Sequence, residues 1–398
     1  MSKMRNSTIF KIFQFFGERS FTWNLDADVD ICIYNKTGSQ YIVGAIEQHN
    51  YCVIDVENCI YSKQFLSIVF QAVISLNFSD LYFKYLCQIV DSINPKVLIT
   101  YIDNDKTFWR VDRNFSNRIK VITIQNGSRF FSKRDNIPNY HANGGYFYDE
   151  FDKVYHSNFA CISNYEVDLY SKHKAEIGQY HPIGSLSISR HIENYKKRKK
   201  IFDICFVAGG ASDRFTKTKV WKYLAKYASE NDVSICIALK YNHHCDNYAK
   251  SVRVFEDFFL GSTVIVIPHT EFCVPEELAE TIKRKKNYVS GTQYLSDISE
   301  LTIGLASTSM RQVFARGNKI CPINFEEKNT YGVLGLLDSN MKPTYDEFVE
   351  QVERLLSIES AMYLDKNQNL MRYFDIFNPS KTPKEQLREL VSKSINYS

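Results

Sequence analysis

Short apolar runs rich in β-branched residues alternate with longer amphipathic segments along most of the chain. This alternation is typical of βα units, because each buried strand of a parallel sheet is followed by a helix that covers the sheet. The pattern predicts two series of strands. The first series covers 30–34, 51–55, 96–101, 120–125 and 159–163, and the second covers 201–208, 233–239, 263–267, 301–305 and 319–324.

A charged connector, HIENYKKRKK at 191–200, separates the two series and is typical of a solvated linker. After Pro343 the pattern becomes helical, with apolar residues at Phe348, Val352, Leu355 and Leu356. We therefore predict an α/β protein of two Rossmann-like domains, residues 1–190 and 191–340, with a cleft between them. Residues 341–398 are expected to form C-terminal helices that pack across both domains.

Composition narrows the classes of function. The 398 residues carry a formal net charge of +4, which is too weak to indicate a nucleic-acid surface. Ten cysteines lie scattered in apolar runs without a CxxC pair, which favours buried thiols in a reducing compartment over disulfides or a zinc site. The longest apolar stretch, 65–78, is shorter than the ~20 residues of a membrane span.

The first 21 residues contain basic and aromatic side chains but no small-residue cleavage site, so a signal peptide is not indicated. An amphipathic docking helix is the alternative interpretation of this segment. We expect a cytoplasmic protein, with peripheral association at the inner face of the membrane as a further expectation.

The strongest local signal is a strand, a turn of hydroxyl residues, a helix and another strand within 294–325. Ser307, Thr308 and Ser309 lie where the strand ends and the helix begins. Free N–H groups, the positive end of the helix dipole and hydroxyl donors together suit a phosphate. Gly317 is predicted to end this helix. The alternative is that the hydroxyl residues only cap the helix.

Two other loops of the second series are predicted to line the same crevice. The polar residues after the strand at 233–239 are Lys240, Asn242, His243 and His244. They can supply a cation and neutral donors to a diphosphate or a base, although a solvent-facing loop is the alternative. The adjacent histidines lack a third placed ligand, so no metal site is predicted. Gly209 and Gly210 permit close backbone approach, but their spacing matches neither a dinucleotide fingerprint nor a P-loop.

Polar residues also follow two neighbouring strands of the first series. They are Asp103, Asn104 and Asp105 after one strand, and Gln125, Asn126, Gly127, Ser128 and Arg129 after the next. Both loops should open at the same edge of the sheet. Asp103 is the candidate general base, with Asn104 beside it, and Arg129 can hold an anionic sugar or phosphate. The structural alternative is an Asx turn in the first loop and a tight turn in the second.

Several of these segments resemble a family of bacterial surface-carbohydrate biosynthesis transferases. The segments are FTWNLDADVDICIYN, VLITYIDNDKTFWR, VITIQNGSRF, HPIGSL (181–186) and SDISELTIGLASTSMRQVFARGNKI. That family is similar to the two-domain GT-B glycosyltransferases. The resemblance extends loosely over 20–330, and its most specific pieces are IDN, IQNGSR and PIGS. It implies donor binding by the C-terminal domain and acceptor binding by the N-terminal domain.

In GT-B enzymes that use CMP-activated acidic sugars, a His-Pro pair and a Ser/Thr element grip the nucleotide. The Ser/Thr element here matches 307–309, whereas His181-Pro182 lies at the predicted crossover between the domains. Gln312 stands where many GT-B enzymes carry an acidic residue for the ribose hydroxyls, and an amide can also hydrogen-bond them. The resemblance therefore implies a CMP-activated acidic sugar, Kdo or a nonulosonic acid.

The leading hypothesis is a glycosyltransferase that adds a sugar to a growing surface polysaccharide or glycolipid. Its hydroxyl turn, Lys240 and His243 would stabilise the departing phosphate, so neither a cofactor nor a metal is expected. The alternatives are a polyol-phosphate transferase that uses a CDP-alditol and a non-catalytic scaffold of a capsule assembly complex. Expected partners are the nucleotide-sugar donor, a glycan or glycolipid acceptor and the membrane or assembly machinery, but no nucleic acid.

Overall fold

The computed structural model describes residues 20–22, 28–55, 58–75, 80–127, 130–132, 145–147, 153–187, 199–207, 219–238, 264–267, 291–304, 308–323, 337, 343–374 and 381–396. Within these ranges, strands and helices alternate as the hydrophobic pattern predicts.

The strands before residue 190 are β1 (Ser20–Thr22), β2 (Ile31–Ile33), β3 (Tyr51–Val53), β4 (Cys59–Tyr61), β5 (Val97–Thr100), β6 (Lys120–Ile124), β7 (Phe130–Ser132), β8 (Gly145–Phe147), β9 (Tyr155–Cys161) and β10 (Glu176–Pro182). The helices among them are α1 (Ser39–Ile46), α2 (Ser62–Ser75), α3 (Leu81–Ile93), α4 (Lys106–Phe115) and α5 (Asn164–Lys172).

The later strands are β11 (Phe202–Val207), β12 (Ile235–Ala238), β13 (Val264–Ile267), β14 (Ser299–Gly304) and β15 (Lys319–Pro322). The later helices are α6 (Lys219–Glu230), α7 (Gly291–Asp297), α8 (Thr308–Ala315), α9 (Tyr345–Ser357), α10 (Ser360–Phe374) and α11 (Pro383–Asn396).

The first sheet has six parallel strands within the described residues, in the order β10-β9-β6-β5-β2-β3. Helices cover both of its faces, so the central strand β5 is buried at every position. Side chains of α2, α3 and α4 pack in a cluster with Cys32 and Leu98 on one face. Side chains of α1 and α11 pack with Ile31 and Ile99 on the other face.

The second sheet has five described parallel strands, in the order β13-β12-β11-β14-β15. Its core includes buried side chains of α6, α7, α8 and α9, such as Leu224, Leu295, Met310 and Phe348. The strands are short, and β12 is apolar and buried at every position, which is the composition that a doubly covered parallel sheet requires.

The last three helices connect the two sheets. Helix α9 begins at a capping box of Thr344 and Glu347 and packs on α6, β14 and β15. Helix α10 contacts both α8 and α5, and α11 packs on α1 and β5 of the first sheet. In α11, Gln386 Nε2 donates to the Ile183 carbonyl at 3.2 Å, and Arg388 Nε donates to the Ala45 carbonyl at 3.3 Å. The last described helix therefore packs on the first sheet.

The strands predicted for both series are present, although β9 begins four residues earlier than predicted and the hydrophobic pattern missed β10. The charged connector at 191–198 lies outside the described residues, and the predicted domain boundaries stay a prediction. None of the described helices is both long and apolar enough to cross a membrane.

Asp112 is a buried carboxyl group between α4 and β9. Its Oδ2 accepts a hydrogen bond from the Ser157 backbone N–H at 2.9 Å. Burial raises the pKa of Asp112 to about 7, against the smaller lowering effects of the bonds from Ser157 and the charge of Arg113. The folded protein therefore holds a proton on this group at pH values where the unfolded chain has released it.

We expect the free energy of unfolding to fall as the pH rises from about 4 to about 7, and Asp112→Asn to remove this contribution. The amide keeps an acceptor for the Ser157 N–H. Urea unfolding at pH 5 and pH 8 should show the wild type losing roughly 2–3 kcal/mol relative to the variant. Asp168→Asn, at an exposed position of α5, is the matched control. Equal pH dependence in the wild type and Asp112→Asn would contradict the prediction.

Candidate functional site

The carboxyl edge of the first sheet lies against α8, the helix that follows β14 of the second sheet. Gln125 directly follows β6, Ser163 follows β9, and Ser185 follows β10. Side chains of α8 bond to Ser163 and to Ser185. The strand ends of the first sheet therefore contact a helix of the second sheet, at the edge where ligands usually bind in open α/β folds.

Arg311 of α8 forms a buried ion pair with Glu166 of α5, and both side chains are 2% exposed. Arg311 Nη1 donates to Glu166 Oε1 at 2.6 Å, and Nη2 donates to Oε2 at 3.2 Å. Nη2 also donates to Ser163 Oγ at 3.1 Å, and Nε donates to the Phe374 carbonyl at 2.7 Å. A bidentate pair with these added bonds compensates for removing the guanidinium from water.

Local sequence prepares Glu166 for this contact. Ser163 caps α5 by accepting from the Tyr165 N–H at 3.1 Å, and its hydroxyl donates to Glu166 Oε2 at 2.8 Å. Ser-Asn-Tyr-Glu matches the S-x-x-E spacing of a capping box, which places the carboxylate in the first turn. Neither Glu166 nor Arg311 was among the predicted site residues, although the S-x-x-E spacing was a visible signal for Glu166.

Gln125, predicted as a cleft residue, belongs to the same network and is 2% exposed. Its Nε2 donates to Glu166 Oε1 at 3.2 Å and to the Gly127 carbonyl at 2.8 Å. Its Oε1 accepts from the Ile162 N–H at 3.0 Å. The side chain therefore fixes the loop after β6 to the loop after β9, and its polar groups are engaged within the protein.

Gln312, the residue predicted to bind ribose, is also engaged within the protein. Its Oε1 accepts from Gln293 Nε2 at 2.6 Å. Its Nε2 donates to Ser187 Oγ at 2.6 Å and to Ser185 Oγ at 3.4 Å. A contact with ribose hydroxyls would have to replace these bonds, so in this structure Gln312 joins α8 to the segment that follows β10.

Asp103, the predicted general base, is fully buried. Its Oδ1 accepts from the Asn126 N–H at 3.2 Å, and its carbonyl accepts from Trp109 Nε1 at 2.8 Å. The carboxylate thus connects the loops after β5 and β6. Asn104 is half-buried beside it and Asn126 is exposed. The burial of Asp103 weighs against direct contact with an acceptor, and its catalytic role stays a prediction.

The predicted strand, turn, helix and strand around the hydroxyl residues are present as β14, α8 and β15. Helix α8 begins at Thr308, of which the structure describes only the backbone, and the side chain of Ser309 is half-buried. Gly317 has φ +83°, and the Asn318 N–H bonds to the Val313 carbonyl at 3.3 Å. These are the features of a Schellman motif, so Gly317 ends the helix as predicted. Phosphate binding at its start stays a prediction.

The remaining predicted site residues fall outside the described ranges. They are Gly209, Gly210, Lys240, Asn242, His243, Arg129 and Ser307. His181 and Pro182, by contrast, are described and belong to the edge strand β10. Burial, with a smaller effect of the nearby Lys120 charge, lowers the pKa of His181 to about 4. The imidazole is therefore neutral near pH 7 and cannot offer a cation to a phosphate there.

Within the part of the chain that the structure describes, no group of three or more His, Cys, Asp or Glu side chains has an arrangement that could hold a metal ion.

The sequence matches no protein-family model and no curated protein. The fold is similar to a glycosyltransferase from Rickettsia africae, with a TM-score of 0.51 and 12% identity over 94% of this chain and 100% of that chain. It is also similar to the UDP-GlcNAc 2-epimerase from Neisseria meningitidis, solved with UDP-GlcNAc bound, with a TM-score of 0.50 and 10% identity over 92% of this chain and 99% of that chain. These likenesses concern the fold alone. They confirm the predicted class, two Rossmann-like domains in a GT-B-like arrangement with C-terminal helices.

The buried ion pair predicts a large stability effect. Arg311→Met leaves the Glu166 carboxylate buried and unpaired, which should cost about 3–5 kcal/mol in the free energy of unfolding. Changing Glu166 to Met as well should recover part of this loss, because no buried charge then remains. Guanidinium chloride unfolding of the single and double variants measures the coupling between the two residues.

The matched control is Arg113→Met. Arg113 also pairs with a glutamate at 2.6 Å, that of Glu176, but the two side chains are 52% and 62% exposed. Removing this pair should change stability by no more than about 1 kcal/mol. Equal losses for Arg311→Met and Arg113→Met would show that the buried pair has no special importance.

Proposed function

We propose that this protein transfers a sugar from a nucleotide-activated donor to a hydroxyl acceptor in the crevice between its two sheets. The observation that carries the proposal is the position of α8. This helix follows a central strand of the second sheet, and Arg311 and Gln312 hold it against the carboxyl edge of the first sheet. A donor phosphate at its first turn would lie next to the loops of the opposite sheet, where an acceptor can approach.

The chemistry assigned to this site is stabilisation of the departing nucleotide phosphate. Negative charge develops on the leaving oxygen as the glycosidic bond breaks, and backbone N–H groups with nearby hydroxyls can bind it without reorganising. In this proposal Ser307, Thr308 and Ser309 supply those groups, with Lys240 and His243 from the loop after β12. A site of low dielectric would strengthen each of these interactions.

We propose that the nucleotide of the donor carries a pyrimidine base. The resemblance of the sequence segments favours a CMP-activated acidic sugar, such as Kdo or a nonulosonic acid, and the Neisseria meningitidis epimerase of similar fold binds UDP-GlcNAc. A glycan or glycolipid of the cell surface is the proposed acceptor, and a CDP-alditol remains the alternative donor. Thermal-shift titrations with CMP, UDP, CDP and GDP separate these donors, because a ligand stabilises the folded state according to its concentration relative to Kd.

A second candidate function is epimerisation of a nucleotide sugar, which the equally close likeness to the epimerase favours. The two reactions differ in what becomes of the nucleotide. A transferase releases the free nucleotide when an acceptor is present. An epimerase converts the donor into its epimer without an acceptor and leaves the nucleotide attached in the product. Chromatography of the donor after incubation with and without a lysate-derived acceptor mixture distinguishes the two, and neither product would indicate a non-catalytic scaffold.

The phosphate site predicts that replacing Ser307, Thr308 and Ser309 together by Ala weakens nucleotide binding. Hydrogen bonds to a charged group contribute roughly 1.5–3 kcal/mol each, so Kd should rise at least about tenfold. Calorimetric titration with the best nucleotide of the thermal-shift series measures this change. Thr344→Ala, at the cap of α9, is the matched control, because it removes a helix-capping hydroxyl far from α8 in the chain. An unchanged Kd in the triple variant would move the phosphate site elsewhere.

Asp103→Asn tests the acceptor side of the site. The amide oxygen can still accept from the Asn126 N–H, so a purely positioning role predicts a folded variant that retains more than about a tenth of the wild-type rate. We expect this outcome because the carboxylate is buried. A fall of about 10² to 10⁴ in nucleotide release, with unchanged nucleotide affinity, would instead establish Asp103 as the general base.

A further inference from the structure

Helix α2 exposes a continuous apolar face. Leu66, Phe70, Val73 and Ile74 have exposed fractions of 55%, 67%, 53% and 67%. Spacings of four, three and one residues place these side chains in one stripe along the helix. Single exposed apolar side chains are ordinary on protein surfaces, but a contiguous stripe of this kind marks an interaction surface.

The opposite side of α2 already provides the packing that the fold requires. Ile68 and Ala72 are buried there, and the Phe65 ring meets Tyr85 of α3 edge-on with centroids 5.9 Å apart. The helix carries one charged residue, Lys63, at its start. Because Ile68 and Ala72 already provide the buried apolar side of α2, the exposed stripe is not needed for packing against the first sheet.

The charges beside this face are positive. Lys63 is exposed at the start of α2, and Lys84 lines a surface groove together with Phe70 and Ile74. The carboxylate of nearby Asp80 forms an ion pair with Arg110, and Arg110 Nη2 lies 3.1 Å from Asp80 Oδ2. An apolar stripe with cations beside it fits a surface that is apolar within and negative outside.

The first residues of the chain join the fold close to this helix. Strand β1 pairs in parallel with β4, the Ser20 N–H donates to the Asn58 carbonyl at 2.8 Å, and α2 follows β4 without a break. Residues 1–19 contain four basic residues and one acidic residue, and their aromatic residues are Phe10, Phe13, Phe15 and Phe16. Ser20, which follows this positive, aromatic-rich segment, therefore lies beside Cys59, three residues before α2 begins.

We propose that the exposed face of α2 docks on an anionic membrane surface. In this arrangement Leu66, Phe70, Val73 and Ile74 enter the boundary between headgroups and acyl chains, and the flanking cations meet anionic headgroups. Helix α2 has 14 residues, fewer than the ~20 needed to span a bilayer, and so lies in the plane of the interface. The stripe alone is smaller than the roughly 20–30 residues per side of a standard protein interface. Residues 1–19 are a poorer candidate to cover the face, because they are positively charged and so are the flanks of α2. A negatively charged surface matches both.

The test is sedimentation of the full chain with vesicles of phosphatidylcholine alone and of phosphatidylcholine with about 30% phosphatidylglycerol, which supplies the anionic headgroups. The unaltered chain should bind the anionic vesicles, and added salt should weaken binding. Combined Leu66→Gln, Phe70→Gln and Ile74→Gln should lower the partition coefficient at least about tenfold. The matched control combines Ile201→Gln and Met362→Gln, which change apolar residues that are 49% and 65% exposed elsewhere on the chain, and it should bind like the unaltered chain.

A second variant keeps the test independent of folding in the triple variant. Phe70→Trp retains the apolar face, and its added fluorescence should be quenched by brominated phospholipids in the anionic vesicles. The proposal is overturned if the triple variant binds as well as the unaltered chain, or if those lipids leave the added emission of the Phe70→Trp variant unaffected. It is also overturned if the unaltered chain binds no vesicles. In that case, two further results identify what covers the face. If the unaltered chain is a dimer and the triple variant is a monomer, the face binds a second copy. If both are monomers and the triple variant has a lower Tm, the face binds residues 1–19.

Discussion

The relative position of the two sheets depends on one buried guanidinium. Arg311 reaches from the second sheet to Glu166 and Ser163 at the carboxyl edge of the first sheet, and to the carbonyl of Phe374 at the end of α10. Its three partners come from two separate segments, the start of α5 and the end of α10, and all of them must be in place before the charge is compensated. If the two sheets packed in another way, the guanidinium would lose a partner and a charge would be buried without full compensation. The main effect of the interaction is therefore to select one packing geometry, and its net contribution to stability is smaller.

A second residue of α8 supports the same contact between the sheets. Gln312 follows Arg311 in α8 and joins Ser185 and Ser187 behind β10, so two successive residues hold the helix against different strands of the first sheet. The start of α8 is oriented by side chains whose polar groups are engaged within the protein. Rigid support of this kind gives a binding group its position, and position is what distinguishes a catalytic donor from an ordinary helix cap.

The hydrophobic pattern predicted the strands of both sheets well, because a strand covered on both faces must be apolar at nearly every position. It missed β10, since the sequence EIGQYHP of an edge strand with exposed positions contains no apolar run. It also missed the pairing of Glu166 with Arg311, which are 145 residues apart. Each of these residues resembles a solvated helix charge in its local sequence, and only the packing of the two sheets reveals that both are buried. Nor could the sequence predict that Asp103 is buried and that its carboxylate accepts a hydrogen bond from the Asn126 N–H of the neighbouring loop.

The return of α11 to the first sheet affects the order in which the protein can fold during synthesis. Leu387 and Val391 complete a core cluster with Ile31, Ile33 and Ile42, more than 340 residues earlier in the chain. While the ribosome is still making the second sheet, that face of the first sheet lacks its last covering helix and exposes apolar side chains. The first domain to be synthesised is therefore the last to be completed, and a chaperone that shields apolar surface would be needed there longest.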